Sequence, residues 1–144
     1  LSLAREINNN MPHYTIELLE NELKKLKKAI KGAKVGVLGL AYKANVEDIR
    51  ESPAFEIINI LKTKGAEVFV FDPHVKNGSN VKDLDEILVK CDYLVLVTDH
   101  NEFKSIDAEK LKKHKILIVI DGRNCLDKEK IKSMGILYHG IGRN

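Results

Sequence analysis

The sequence predicts an α/β fold: a doubly wound parallel sheet of about five strands, preceded by a long helix. Two observations support this. From residue 32 onward, apolar runs of strand length alternate with helical stretches. Most of these runs are apolar on both faces, as are strands covered by helices on both sides of a sheet. We therefore expect a Rossmann-like domain with strand order 2-1-3-4-5.

The first element is an amphipathic helix. Its apolar residues recur at helical spacing: Leu3, Ile7, Met11, Tyr14, Leu18, Leu19, Leu23, Leu26 and Ile30. We predict a helix over Leu1 to Lys31, either continuous or divided near Pro12, and ended by Gly32. Such a stripe packs either on the chain's own sheet or against a second molecule.

The remaining elements follow in regular order. The strand-like runs are VGVLG, VFVFD, YLVLVTD, ILIVID and ILYHG. Helices are predicted between them over residues 53–64, 81–90, 102–114 and 127–134. Ser52 as N-cap with Pro53 in the first helical position is a strong start signal for the first of these helices.

The segment after the first strand is suited to phosphate binding. Gly36 and Gly39 stand where a backbone approaches a ligand or a neighbouring element closely. Their spacing, Gly-x-x-Gly-x-Ala, departs from the Gly-x-Gly-x-x-Gly of dinucleotide-binding loops and is weak evidence. The insert that follows, Leu40 to Ser52, is too long for a tight turn, and loops of such length are usually functional or disordered.

Three residues of the insert have the chemistry of nucleotide recognition. Tyr42 can stack on a base or ribose, Lys43 can bind a phosphate, and Arg50 can grip two oxygens at once. The alternative is that Arg50, Asp48 and Glu51 only tie down a surface loop by ion pairs.

Ligands of doubly wound sheets bind at the carboxyl ends of the strands, near the point where strand order reverses. The residues expected there are 39–43, Asp72, 98–101 and 121–124. Arg123 should lie near Lys43, and two converging cations suit a diphosphate. Asp72 either holds an adenosine ribose, as in dinucleotide-binding domains, or forms a turn with Pro73 and His74.

The cysteines and histidines give little sign of catalysis. Cys91 is expected in the core, and Cys125 lies beside Arg123 in sequence. The five histidines are scattered, so no metal site is predicted. Around His100, we expect Asp99 or Asn101 to cap the next helix.

Composition excludes several classes of protein. A net charge of +3 does not indicate a nucleic-acid partner. No apolar run is long enough for a membrane span, and no signal peptide is visible. Two cysteines suit a reducing cytoplasm. The chain opens on Leu1 in mid-helix, so we take it to be a fragment.

Four segments resemble one family. LGLAYKANVEDIRESPAFEII resembles the signature that opens the C-terminal domain of the UDP-glucose/GDP-mannose dehydrogenase family. AREINNNMP resembles the end of that family's central helical segment, VIDGRN its second UDP-contacting strand end, and YHGIGRN the terminus of its N-acetylhexosamine branch. The resemblance implies that residues 1–31 are the C-terminal part of a central dimerisation helix and residues 32–144 a UDP-sugar-binding domain.

The resemblance also implies an activity. Members oxidise C6 of a nucleotide sugar twice with NAD, through a thioester on a cysteine. The Gly-Gly-x-Cys-Phe-Pro-Lys motif of that cysteine is absent, so this chain is expected to hold no catalytic residue and to be inactive alone. Tyr42, Lys43 and Arg123 fall on positions that contact the UDP-sugar. Arg50 falls on one that reaches NAD, which the family binds in an N-terminal domain missing here.

Tyr42 stands where glucose-oxidising members tend to carry Phe, which favours the N-acetylhexosamine branch. The resemblance thus implies a cytoplasmic homodimer, joined through the N-terminal helix, that oxidises UDP-N-acetyl-D-mannosamine for surface polysaccharide. UDP-glucose and UDP-N-acetylglucosamine remain alternative substrates. A freestanding nucleotide-binding or regulatory module remains an alternative function, whereas the missing glycine fingerprint and nucleophile argue against a complete small NAD oxidoreductase.

Overall fold

The chain folds as a five-stranded parallel sheet with helices on both faces. This computed structural model describes residues 2–50 and 52–141, with side chains from residue 11 onward. In chain order the elements are α1 (Ser2–Lys25), β1 (Lys34–Leu38), α2 (Ala54–Thr63), β2 (Glu67–Phe71), α3 (Leu84–Lys90), β3 (Tyr93–Leu96), α4 (Asn101–Lys104), α5 (Ala108–Lys113), β4 (Ile118–Asp121), α6 (Lys128–Ser133) and β5 (Leu137–Gly140). The sheet order is β2-β1-β3-β4-β5, so the predicted fold class, strand number and strand order are confirmed.

Two apolar clusters cover the two faces of the sheet. Helices α1 and α2 pack on one face, and α3, α5 and α6 pack on the other. Side chains along β3 alternate between them: Tyr93 and Val95 belong to the first cluster, Leu94 and Leu96 to the second. Burial on both faces explains why the strands are continuous apolar runs in the sequence.

Helix α1 runs without a break through Pro12 but ends well before Gly32, the predicted stop. The N–H of Lys28 donates to the carbonyl of Leu23 at 2.9 Å, and Lys27 has a φ of 57°. This is the left-handed turn that often ends helices, usually at glycine. The prediction was wrong because a lysine takes the left-handed position here.

The buried stripe of α1 packs on the chain's own sheet. Ile16, Leu19 and Leu23 are almost completely buried in the first cluster. The sequence left open whether the stripe packs on the chain's own sheet or against a second molecule. These three residues pack on the chain's own sheet. Within residues 11–25 of α1, an intermolecular contact must therefore use other side chains than these.

Side-chain caps set the starts of several helices. The carboxylate of Asp83 accepts a backbone hydrogen bond in the first turn of α3, which therefore begins later than predicted, and Asp107 caps α5 in the same way. The single helix expected over 102–114 is two short helices as a result. At α2, Pro53 is the N-cap and the Oγ of Ser52 accepts from the N–H of Ala54 at 3.2 Å, so the helix starts one residue later than predicted.

Some predicted features lie outside the described residues. They are Leu1, the predicted start of the first helix, Glu51 of the insert, the last three residues of YHGIGRN, and the side chains of Leu3 and Ile7. Within the described ranges, none of the helices combines the length and the hydrophobicity of a membrane span.

Candidate functional site

Both glycines of the first loop are places of close approach. Gly39 has a φ of +105°, and a Cβ there would lie 2.7 Å from the backbone nitrogen of Thr98. A Cβ on Gly36 would lie 2.9 Å from the Sγ of Cys91. Both glycines therefore let neighbouring parts of the chain approach the backbone of β1. In particular, the end of β1 can lie directly against the end of β3.

Asp72 directly follows β2 and is a fully buried anchor for the insert. Its Oδ2 accepts from the N–H groups of Leu40 and Ala41, at 2.7 and 3.0 Å, and lies 2.9 Å from the Nε2 of His100. Its Oδ1 accepts from the N–H of His74 at 2.7 Å, which is the turn that the sequence offered as one alternative. Burial raises the pKa of Asp72, but these hydrogen bonds outweigh burial and hold the pKa below its ordinary value. A carboxylate so enclosed does not fit an adenosine ribose.

His100 joins the end of β3 to the middle of the insert. Its side chain is fully buried, and its Nδ1 lies 2.7 Å from the backbone nitrogen of Asn45. The predicted caps, Asp99 and Asn101, are wrong: His100 is the N-cap residue of α4, with no side-chain cap of its own. The Oδ1 of Asn45, in the insert, accepts from the N–H of Asn101 at 3.0 Å.

The first half of the insert is held in place by its backbone. The hydroxyl of Thr98 donates to the carbonyl of Ala41 at 2.8 Å, and the N–H of Tyr42 donates to the carbonyl of Asp48 at 2.5 Å. The Tyr42 side chain is 45% exposed. Lys43 is also exposed, and its ammonium forms no ion pair with any residue that the structure describes. The insert thus presents a phenol and an ammonium from a fixed backbone.

Arg123 connects the insert to the middle of the sheet. Its Nε donates to the carbonyl of Val97 and its Nη2 to the carbonyl of Tyr42, both at 3.0 Å. Its Nη1 makes no hydrogen bond within residues 2–50 and 52–141. The guanidinium therefore lies against the residue next to Lys43, at the β1–β3 boundary where strand order reverses.

A second buried acid holds the turn that carries Arg123. Asp121 is fully buried at the end of β4, and its Oδ1 accepts from the N–H of Arg123 at 3.0 Å. Its Oδ2 accepts from the N–H of Leu126 at 3.0 Å and from the hydroxyl of Tyr138 at 2.6 Å. This carboxylate links the turn to the edge strand β5.

Arg50 lies near the end of the insert, where it pairs with Asp48. Its Nε and Nη2 donate to the two carboxylate oxygens of Asp48, at 3.0 and 2.9 Å. These bonds lower the pKa of Asp48 to about 2. Together with Pro73 and His74, the pair lines an open groove beyond β2. The ion pair between Arg50 and Asp48, which the sequence offered as one alternative, is present. The carbonyl of Asp48 in turn accepts from the N–H of Tyr42.

The two cysteines are poor nucleophiles. Cys91 is buried in the core as predicted, and burial raises its pKa to about 12. Burial, followed by the charge of Asp121, raises the pKa of the half-buried Cys125 to about 12 as well. Among the described side chains, no group of three or more His, Cys, Asp or Glu could hold a metal ion.

The anchoring roles of His100 and Asp121 were not predicted from the sequence. The acids at the ends of β2 and β4 are visible in the sequence, and buried acids that end strands commonly organise the following turns. Their partners are not visible, because Asp72 and His100 are separated by 28 residues and Asp121 and Tyr138 by 17.

Known proteins of one family resemble this chain. Residues 36–128 match the UDP binding domain of the UDP-glucose/GDP-mannose dehydrogenase family. A UDP-N-acetyl-D-mannosamine dehydrogenase of Methanococcus vannielii is 40% identical, over 96% of this chain and 33% of that protein.

Two solved structures of dehydrogenases have the same fold as this chain. The UDP-D-ManNAc dehydrogenase of Pyrococcus horikoshii is 37% identical, with a TM-score of 0.88 over 98% of this chain and 33% of that chain. An NDP-N-acetyl-D-galactosaminuronic acid dehydrogenase of Methanosarcina mazei is 32% identical, with a TM-score of 0.91 over 99% of this chain and 31% of that chain. The chain thus spans about a third of the length of each of these relatives.

Proposed function

Because this chain belongs to the UDP-glucose/GDP-mannose dehydrogenase family, we propose that it is the UDP-binding part of an NAD-dependent UDP-sugar 6-dehydrogenase. The proposed substrate is UDP-N-acetyl-D-mannosamine, oxidised to UDP-N-acetyl-D-mannosaminuronate for surface polysaccharide. Relatives named UDP-N-acetyl-D-mannosamine dehydrogenase at 40% and 37% identity support this choice. A UDP-glucose 6-dehydrogenase of Rhizobium meliloti at 35% identity is the basis for the alternative substrate.

One observation carries the proposal: the Nη2 of Arg123 donates to the carbonyl of Tyr42 at 3.0 Å. This bond places the Arg123 guanidinium against the backbone of Tyr42, whose side chain is exposed and which directly precedes Lys43. We assign Arg123 and Lys43 to the diphosphate, since charged donors bind phosphate oxygens strongly. We assign Tyr42 to stacking on the base or ribose.

NAD is proposed to bind a domain outside this chain. The enclosed carboxylate of Asp72 supports this, because the acid that follows β2 is hydrogen-bonded to Leu40, Ala41 and His100 and does not face a ribose. When bound, NAD would accept the hydrides from C6. Arg50, exposed at the groove beyond β2, is proposed to reach it.

Within this scheme the chain binds and orients the UDP end of the substrate. The raised thiol pKa values of Cys91 and Cys125 support a nucleophile outside this chain. We therefore expect this fragment to be inactive alone, and the parent enzyme to work in the cytoplasm.

Dimerisation through α1 is proposed to use the exposed side of the helix, where Tyr14 is 47% exposed. Removing the whole helix would open the core, because Ile16, Leu19 and Leu23 pack on the sheet. A sharper test is Tyr14→Glu, which should convert a dimer to a monomer in sedimentation. A chain that already sediments as a monomer would contradict the proposal.

The proposed function is tested by titrating this chain with UDP and, separately, with NAD, while NMR follows the backbone amides of residues 39–50 and 121–125. Shifts with UDP alone are expected. Shifts with NAD alone would overturn the assignment, and so would the absence of shifts with UDP at millimolar concentration.

A further inference from the structure

We infer that the buried imidazole of His100 positions the Tyr42–Lys43 segment of the insert and acts as a positioning residue for nucleotide binding. His100 faces the interior, so it cannot itself touch a ligand in the crevice. Its effect on UDP rests on the proposed function above. Its effect on the insert does not.

The Tyr42–Lys43 segment is fixed on both sides by hydrogen bonds, and both connections lead to the Oδ2 of Asp72. At the near end, the Oδ2 of Asp72 accepts from the N–H of Ala41 at 3.0 Å. At the far end, the Nδ1 of His100 lies 2.7 Å from the nitrogen of Asn45, and its Nε2 lies 2.9 Å from the same Oδ2. Tyr42 and Lys43 lie between these fixed points. Losing the His100 contact would remove the hydrogen bond that holds the Asn45 backbone, while Ala41 stays bound.

The hydrogen-bond pattern defines the state of the imidazole. A backbone N–H can only donate, so Nδ1 must accept from Asn45 and carries no proton. The proton therefore lies on Nε2 and is donated to Asp72. This neutral tautomer satisfies both ring nitrogens without any solvent exposure, as a buried polar side chain requires.

Asn45 closes the arrangement from the other side. Its backbone has a φ of 61°, a left-handed conformation that Asn tolerates better than most residues. Its Oδ1 accepts from the N–H of Asn101 at 3.0 Å. The insert and the residues that begin α4 therefore hold each other through two hydrogen bonds, and His100 supplies the buried one.

Two near-isosteric variants separate the two functions of the ring. Asn at position 100 can place its amide oxygen near the Nδ1 position and keep the bond from Asn45, but it cannot reach Asp72. Gln can place its amide nitrogen near the Nε2 position and keep the bond to Asp72, but it leaves Asn45 without its acceptor. His100→Gln is thus the test variant and His100→Asn its matched control.

Amide hydrogen exchange without ligand is the first measurement. In His100→Gln, exchange of the Asn45 amide should accelerate by about two- to tenfold, the range for one net hydrogen bond. The amides of Leu40 and Ala41 should be unchanged, and His100→Asn should stay near the parent rate. Equal exchange at Asn45 in the parent and in His100→Gln would overturn the inference.

UDP titration is the second measurement. The Kd for UDP should rise by about two- to tenfold in His100→Gln and stay within about twofold in His100→Asn. If both variants lower Tm alike and leave the Kd unchanged, His100 is merely structural and the inference is wrong. If the parent chain binds no UDP, the proposed function fails, while the exchange pattern still decides whether His100 positions the segment.

The tautomer can be checked without any substitution. Nitrogen-15 NMR of the imidazole should show a neutral ring protonated at Nε2 at neutral pH. A proton on Nδ1 would exclude the bond from Asn45 and would overturn the inference even if the variants failed to fold.

Discussion

Arg123 is the residue whose removal most directly tests the proposed UDP site. Arg123→Ala removes a guanidinium that is fixed by the carbonyls of Val97 and Tyr42, both at 3.0 Å. A hydrogen bond involving a charged group contributes about 1.5–3 kcal/mol, which corresponds to a rise in Kd of roughly 10- to 150-fold. We expect a loss of UDP affinity in this range.

The structure also predicts a graded series. Arg123→Lys keeps the charge, but an ammonium cannot reproduce the planar fork that bonds to two carbonyls and still faces a phosphate. Its loss of affinity should therefore be intermediate. Arg50→Ala is the matched control, because it removes an exposed arginine that pairs with Asp48 and is assigned to NAD, and it should leave the Kd for UDP within about twofold.

Isothermal titration calorimetry measures the affinities, and chemical denaturation shows whether each variant is folded. The Arg123 side chain is exposed, and water can replace it at the two carbonyls, so the free energy of unfolding should fall by only about 1–2 kcal/mol. If Arg123→Ala binds UDP as tightly as the parent, Arg123 is not part of the site. The assignment of Arg123 and Lys43 to the diphosphate is then wrong.

Three other predictions concern the scaffold of the site. Gly39→Ala combines a φ of +105° with a contact of 2.7 Å to the nitrogen of Thr98, so urea denaturation should show a loss of about 2–5 kcal/mol. Gly135→Ala, at a φ of +83° with no atom within 4 Å, should lose only about 1 kcal/mol, and equal losses would disprove the steric argument. The folded-state pKa of Asp72 lies below its ordinary value of 3.8, so the charged carboxylate stabilises the fold above about pH 4, and this stability is lost as the pH falls through the lower folded pKa. Asp72→Asn should therefore lower the free energy of unfolding by about 2–4 kcal/mol at pH 7. The difference in this free energy between variant and parent should shrink in acid. A difference that does not depend on pH would be inconsistent with a charged Asp72. Because the pKa of Cys125 is about 12, its thiolate fraction at neutral pH should be roughly a thousandfold below that of an ordinary thiol, and iodoacetamide should label it rapidly only after unfolding; rapid labelling of the native chain would contradict the raised pKa.

The local pattern of apolar residues was enough to predict the strands and their order. The runs around Val35, Leu94 and Val119 are apolar on both faces because each of these strands is buried on both sides, and this property is visible without a partner. Alternation with helices then implies parallel pairing, which limits the topologies available. The position of Arg123 against the insert followed from the same argument, since the carboxyl ends of parallel strands share one edge.

The ends of the helices were harder to predict from the local pattern of residues. The left-handed residue that ends α1 is Lys27, whereas the only local signal was the later Gly32. The helix predicted over residues 102–114 is divided because Asp107 caps the start of α5. The spacing of the apolar residues in this stretch had suggested one continuous helix. In both cases a single backbone conformation decides the boundary, and several residue types can adopt it.

The sequence by itself determined the fold class, the strand order and the residue types at the carboxyl edge of the sheet, because burial on two faces and helical spacing are properties of neighbouring residues. Only the tertiary structure decided what those residues do. Asp72 became an anchor rather than a ribose ligand because Leu40, Ala41 and His100, distant from it in sequence, fill its hydrogen-bonding capacity. A side chain's role depends on which partners occupy its lone pairs and protons, and those partners meet only when the sheet is assembled.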